Sequence, residues 1–286
     1  MAVFFWMCST GGKKEKFITN DEFESASQEL ASDIKTYIDN LPPPSEVPFL
    51  LMATGSDFNS DLMNPLDYAE EYNKSIDKAA LNLGVYAADI GYLSSYDQTG
   101  DVYETMQVCQ SLAETIGISS AIDMDLLARF ESNINQRDSI ANLIDEVMKV
   151  TGDRLQLLNR ANLSAIALSG SFIEGLYIST MVVETYPQEN LSPDMVDQIL
   201  TPLMQIILKQ GKTLKDLIKI LNEVETNKTI ELIKTELAYL NDIYNNELKE
   251  VDEKINENKG DFHLSKELLN NLAFEIKKIR NATIHP

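Results

Sequence analysis

Ala79-Ala-Leu-Asn-Leu-Gly-Val-Tyr-Ala-Ala-Asp-Ile-Gly-Tyr-Leu93 and Asn162-Leu-Ser-Ala-Ile-Ala-Leu-Ser-Gly-Ser-Phe-Ile-Glu-Gly-Leu-Tyr-Ile-Ser-Thr-Met-Val-Val183 decide the fold. Both read as helices that are apolar on almost every side, and such a helix is buried all round. Small residues recur along the first at Ala80, Gly84, Ala87, Ala88, Gly91 and Ser95, and along the second at Ala167, Ser171, Gly175 and Ser179. Glycine inside a helix costs about 1 kcal/mol relative to alanine, so its repeated use points to backbones in close approach. The expectation is a central pair, packed small face to small face. The second helix has the length of a membrane span, but Glu174, four serines and the lack of basic flanks favour burial in protein.

Around this pair the chain is helical throughout, and strand signals are nearly absent. Leu30, Ile34, Tyr37 and Ile38 mark a first helix from Asn20, stopped by Pro42-Pro43-Pro44. A short helix follows Ser45 and ends at Gly55; a polar loop runs over 57–64, and Asn64-Pro65 opens a further short helical segment. Between the central helices lie segments over 101–116, stopped by Gly117, then 123–133 and 137–159. Ser192-Pro193-Asp194 supplies a cap and a first-turn proline for a long amphipathic helix, with Pro202 and Gly211 expected to kink or interrupt it. Segments near 227–256 and 264–281 carry the seams of a helical hairpin.

The 286 residues carry 45 acidic and 24 basic groups, a net charge of −21. That balance opposes nucleic-acid binding, which needs clustered Lys and Arg. Charge is uneven: residues 1–16 are net +2, residues 17–190 hold 8 basic against 28 acidic groups, and residues 191–286 hold 13 against 16. The change falls in the Pro-containing polar stretch Glu184–Ser192. Three parts are therefore expected: a leader and tether over 1–19, an acidic helical bundle over 20–186, and a helical arm over 187–286. In the alternative, helix composition drifts within a single bundle.

Two cysteines 101 residues apart exclude a disulfide scaffold or a cysteine-rich metal site. The two histidines, His263 and His285, lie in the last 24 residues. No Glu-x-x-His, phosphate loop, Gly-x-Ser-x-Gly or His-Glu-x-x-His occurs. Asp57-Phe-Asn-Ser-Asp61 lacks the glycine and distal glutamate of a calcium loop and reads as a turn-rich loop. Cys109 reads as a small core residue and His263 as a surface residue. No cofactor or metal is expected.

The opening Met1-Ala-Val-Phe-Phe-Trp-Met-Cys8-Ser-Thr-Gly-Gly12 is unlike the rest. An apolar run ending in cysteine and followed by a Gly/Lys-rich stretch has the form of a bacterial lipoprotein signal, with Cys8 lipidated. The run is shorter than an ordinary signal, it has no basic n-region, and Phe5, Trp6 and Met7 are bulky for a cleavage site. A start site assigned too far downstream accounts for the missing n-region. The alternative is a tail with one incidental cysteine.

The central helices share one chemical feature. Asp89-Ile-Gly-Tyr92 and Glu174-Gly-Leu-Tyr177 each set an acid and a tyrosine at i and i+3, on one helix face. A carboxyl on an apolar helix is costly unless paired or protonated. In one reading Asp89, Tyr92, Glu174 and Tyr177 converge on a ligand or hard-metal site, with raised carboxyl pKa values. In the other, each acid accepts hydrogen bonds and fixes helix register. With no cation nearby in sequence, the structural role is favoured.

Leu41-Pro-Pro-Pro-Ser-Glu-Val-Pro-Phe49, Ala80–Tyr92 and Ile173-Glu-Gly-Leu-Tyr-Ile-Ser179 resemble a group of all-helical lipoproteins of Bacteroidota, over about residues 37–186. The resemblance implies export to the cell envelope and brings no activity with it. The expectation is thus an all-α, non-enzymatic interaction or binding protein of the envelope or periplasm. It would meet a protein partner through the C-terminal arm and the membrane only through lipid on Cys8. The rival is a carboxylate-based metal- or ligand-binding protein or hydrolase using Asp89 and Glu174.

Overall fold

A computed structural model describes residues 20–40, 53–119, 124–133, 136–157, 160–187, 191–256 and 266–285, together with Leu50 and Ile122. The 1–19 leader with Cys8, the Pro42–Pro44 stop, most of the short helix after Ser45, and His263 lie outside these residues.

Eleven α-helices occur among the described residues, and no strand does. They are α1 Asn20–Asn40, α2 Ala69–Tyr72, α3 Ile76–Ser95, α4 Thr99–Thr115, α5 Met124–Asn133, α6 Arg137–Leu157, α7 Ala161–Thr185, α8 Pro193–Glu223, α9 Lys228–Asp242, α10 Lys249–Asn256 and α11 Asn270–Ile284. Their ends follow local chemistry. The Ser75, Ser192 and Asn227 side chains accept the backbone N–H of Lys78, Met195 and Ile230, capping α3, α8 and α9. Gly117, with φ of +77°, turns the chain out of α4 in the left-handed conformation that glycine adopts without strain.

The helices α3 and α7 lie side by side at the centre, as their composition predicts. The approach is between backbones. A Cβ built on Gly84 would sit 1.9 Å from the Ala167 carbonyl oxygen and 2.7 Å from the Ser171 nitrogen. One built on Gly170 would sit 1.9 Å from the Leu81 carbonyl oxygen. These two glycines set the helix separation. Gly91 and Gly175 meet nothing within 4 Å, so the small-residue stripes extend beyond the part that makes contact. By length and composition α7 could cross a membrane, but 89% of its most apolar window is buried inside the protein.

The other helices enclose this pair. Helix α4 packs on α3, while α8 and α11 both pack on α7. The C-terminal helices therefore share the central core, which runs continuously from Ile34 to Ile279. Helix α1 crosses to α8, where Lys219 Nζ lies 2.6 Å from Asp33 Oδ2.

The α8 seam Val196, Leu200, Leu203, Ile207, Leu214, Leu217, Leu221 is buried along its length. The helix is continuous through Pro202 and Gly211, so neither interrupts it. Pro202 is exposed, so the carbonyl it leaves without an intrahelical partner can bond to water. Gly211 makes room for Tyr244, whose Cδ1 would lie 2.8 Å from an added Cβ and whose hydroxyl donates to the Ile207 carbonyl at 2.7 Å. Tyr244 stands on a π-helical turn, Ile243–Glu247, that splits the expected 227–256 helix into α9 and α10.

Replacing Gly84 or Gly170 by alanine is expected to cost about 3 kcal/mol or more, because backbone must move. Gly91→Ala and Gly175→Ala should instead be neutral or stabilising by up to about 1 kcal/mol. Urea unfolding of the four variants checks this; four equal effects would refute the close-approach account.

Candidate functional site

The helix pairing that joins Gly84 to α7 and Gly170 to α3 also brings Asp89 and Glu174 together, five and four residues further along. Both are buried, at 1% and 0% exposure. The structure thus unites the two acids that the sequence singled out, and it adds a cation from far along the chain. Arg280 of α11 is itself buried. Its Nε donates to Glu174 Oε2 at 3.1 Å and Oε1 at 3.3 Å, and its Nη2 donates to Oε1 at 3.1 Å. Nη2 also donates to the Leu62 carbonyl at 3.0 Å. The guanidinium carbon lies 4.6 Å from the centroid of the Tyr177 ring, a cation–π contact shielded from water.

Asp89 has a different environment. Its Oδ2 accepts the Asn64 backbone N–H at 3.1 Å, whereas Oδ1 has no partner as a carboxylate oxygen. Burial pushes the Asp89 carboxyl well above its ordinary value, and the neighbouring Glu174 charge pushes it further. Glu174 is also raised by burial, but Arg280 opposes that rise. The consistent state is a neutral Asp89 that donates its proton to an ionised Glu174, which in turn neutralises Arg280. The cluster then carries no net charge.

The tyrosines are placed otherwise than i, i+3 spacing suggested. Tyr177 offers its ring face to Arg280, and burial raises its hydroxyl pKa against the opposing pull of that cation. The Tyr92 hydroxyl accepts the Asn59 backbone N–H at 3.1 Å, and burial pushes its pKa up to about 12. Neither tyrosine is recorded as a hydrogen-bond donor to its acid.

Tyr92 belongs to a second device. Residues 54–65 form a strap of mostly irregular backbone with one 3₁₀ turn, Ser60–Leu62. Irregular backbone can be covered only if its polar groups find partners. Here side chains supply them: Tyr186 to Thr54 carbonyl at 2.5 Å, Tyr92 to Asn59 N–H, Arg280 to Leu62 carbonyl, Asp89 to Asn64 N–H, and Tyr86 to Pro65 carbonyl at 2.8 Å. Phe58 stacks 5.5 Å from Tyr92 and 5.8 Å from Tyr96, which fastens the middle. The suspected calcium loop is part of this strap. Its Asn59 side chain accepts the Asp61 N–H, while Asp57 and Asp61 are exposed. Among the described residues no three His, Cys, Asp or Glu side chains gather as a metal site.

Arg280 is the residue that sequence reading missed. Its signal is weak but real: it stands four residues beyond Ile276, which stands four beyond Leu272, so it occupies a buried seam position. A basic residue on such a stripe calls for an acid partner, and Glu174 is 106 residues earlier. Comparison with known families, with curated proteins and with solved structures finds no match to the chain.

Asp89→Asn should fold, since an amide can accept from Asn64 and donate to Glu174. Unfolded Asp89 releases its proton near 3.8, but the folded protein retains it above that. At this site native protein then binds more protons than unfolded protein, and the contribution of Asp89 to wild-type stability falls as pH rises above about 4. The Asn variant lacks this contribution, so it gains on wild type with rising pH, by at most about 1.4 kcal/mol per unit. Glu174→Gln strands Arg280 and should cost about 3–5 kcal/mol. Denaturant titrations from pH 5 to 8 decide, and parallel pH profiles for wild type and Asp89→Asn would rule out the protonated-Asp89 assignment.

Proposed function

We propose that the protein is a non-enzymatic binding protein of the cell envelope, tethered by lipid on Cys8 and engaging a protein partner through its C-terminal helices. The observation that carries the reading is the distribution of exposed apolar side chains. Among the described residues eight large ones are exposed, and four of these, Leu232, Tyr239, Leu268 and Phe274, fall on α9, on α11 or on the turn that leads into it. Leu232 and Tyr239 are seven residues apart and share a face of α9. Lys278, one turn beyond Phe274, places its amine 5.5 Å from the Tyr239 ring centroid, so the two helices present one surface there. Scattered exposed apolar residues are ordinary, but a group on adjoining helices supports a docking face.

The rival carboxylate site is less well supported. Asp89 and Glu174 are covered, their charge is balanced by Arg280, and the strap closes over them at Leu62 and Asn64. A group working as acid, base or metal ligand must reach its substrate or ion. The apolar leader ending at Cys8, and the resemblance over residues 37–186, support the envelope address.

A photo-crosslinking residue at position 274, in protein expressed in its native host, should give a discrete partner adduct that Leu232→Glu weakens severalfold. The same residue at exposed Tyr103 should give none. Equal labelling at both positions would remove the docking face. Intact mass of the envelope fraction should show an acyl adduct on Cys8; an unmodified chain whose fractionation is unchanged by Cys8→Ala would remove the tether.

A further inference from the structure

On the side of α3 and α7 reached through Gly84, the helices α1, α4, α5 and α6 do not close completely. They leave a cavity of about 60 Å³, with Ile38, Ala87, Met106 and Phe130 in its apolar wall. No charged side chain lines it. Of its three hydroxyl-bearing residues, Ser171 of α7 is partly exposed and two are buried: Thr151 of α6 and Ser164 of α7. Both residues are more than nine-tenths buried, and neither hydroxyl oxygen has a hydrogen-bond partner.

These two differ from most buried helical hydroxyls among the described residues. A helical Ser or Thr buried in apolar surroundings ordinarily returns its hydroxyl to the carbonyl four residues back. Ser169, Ser179 and Thr180 of α7 all do so, at 2.7–2.8 Å, and Thr105 of α4 does the same. Thr151 and Ser164 keep their hydroxyls for the cavity. An unsatisfied buried hydroxyl is unfavourable, and it becomes favourable when a ligand brings the missing partner.

We propose that this cavity binds a small neutral amphiphile, a straight-chain alcohol or carbonyl compound of about four to six heavy atoms, with its oxygen on Thr151 and Ser164. The size follows from the volume, at roughly 10–15 Å³ for each water-sized unit. Neutrality follows from the wall, which offers no cation to a carboxylate and no anion to an amine. One polar end and one apolar end follow from the two unpartnered hydroxyls set in a mostly apolar lining. This site is separate from the docking face on α9 and α11 and does not depend on it.

The test titrates 1-pentanol, pentane and pentanoate into the full chain, following the Met106 methyl resonance. Saturable shifts with 1-pentanol, weaker ones with pentane and none with pentanoate are expected. Ser164→Ala and Thr151→Val are conservative and keep the fold; each should weaken 1-pentanol by roughly three- to tenfold and leave pentane unchanged. No Met106 response to 1-pentanol overturns the proposal. So does pentane binding as tightly as the alcohol, or alcohol affinity unchanged in both variants, which would mean that the hydroxyls are satisfied by water alone.

Discussion

The ion pair between Arg280 and Glu174 is the contact on which the rest of the structure turns. It fixes α11 against α7 and neutralises a carboxylate that α7 could not otherwise bury. Its spare hydrogen bond fixes the strap at Leu62. It also decides which carboxyl is charged: Arg280 favours ionised Glu174, and burial beside that charge favours the protonated form of Asp89. A buried ion pair is weak evidence for added stability, because an apolar replacement is often as good. What it contributes here is geometry: three helices and one loop have a single arrangement in which all four partners are met.

Much of this could be read from the chain. The all-round apolarity of α3 and α7 made them the centre, and the caps at Ser192 and the stop at Gly117 placed helix ends. The isolation of Asp89 and Glu174 on apolar helices marked them as residues needing partners. Other features depend on tertiary context that local sequence does not encode. Gly84 and Gly91 look alike in sequence, yet only Gly84 faces the crossing point. Pro202 reads as a kink or a break, and the helix continues through it on an exposed face where water can take the freed carbonyl. The C-terminal helices read as a separate arm because their charge balance differs, whereas their seams pack on α7 with the rest. Arg280 cannot be matched to Glu174 by local sequence, because the two are 106 residues apart.

Spacing sets Tyr92 and Tyr177 on the helix faces of their acids, but a tyrosine reaches well beyond its own helical turn. Tyr72, Tyr86, Tyr92 and Tyr186 send their hydroxyls to backbone groups of neighbouring segments instead. Each gives the core a ring and gives the surrounding chain a hydrogen bond. That combination lets a proline-bearing, turn-rich segment lie over the central helices without leaving its polar groups unpaired.

Arg280 meets Leu62 across 218 residues, and Tyr72 meets the Ile284 carbonyl across 212. Helical proteins usually draw on short-range contacts and fold fast for that reason; connections of this span carry a larger closure entropy and form late. Before α11 docks, α3 and α7 hold two carboxyls with no cation between them, and their pairing then requires extra protons or water at the interface. The last helix supplies the cation, so the number of protons held between α3 and α7 depends on a residue near the far end of the chain.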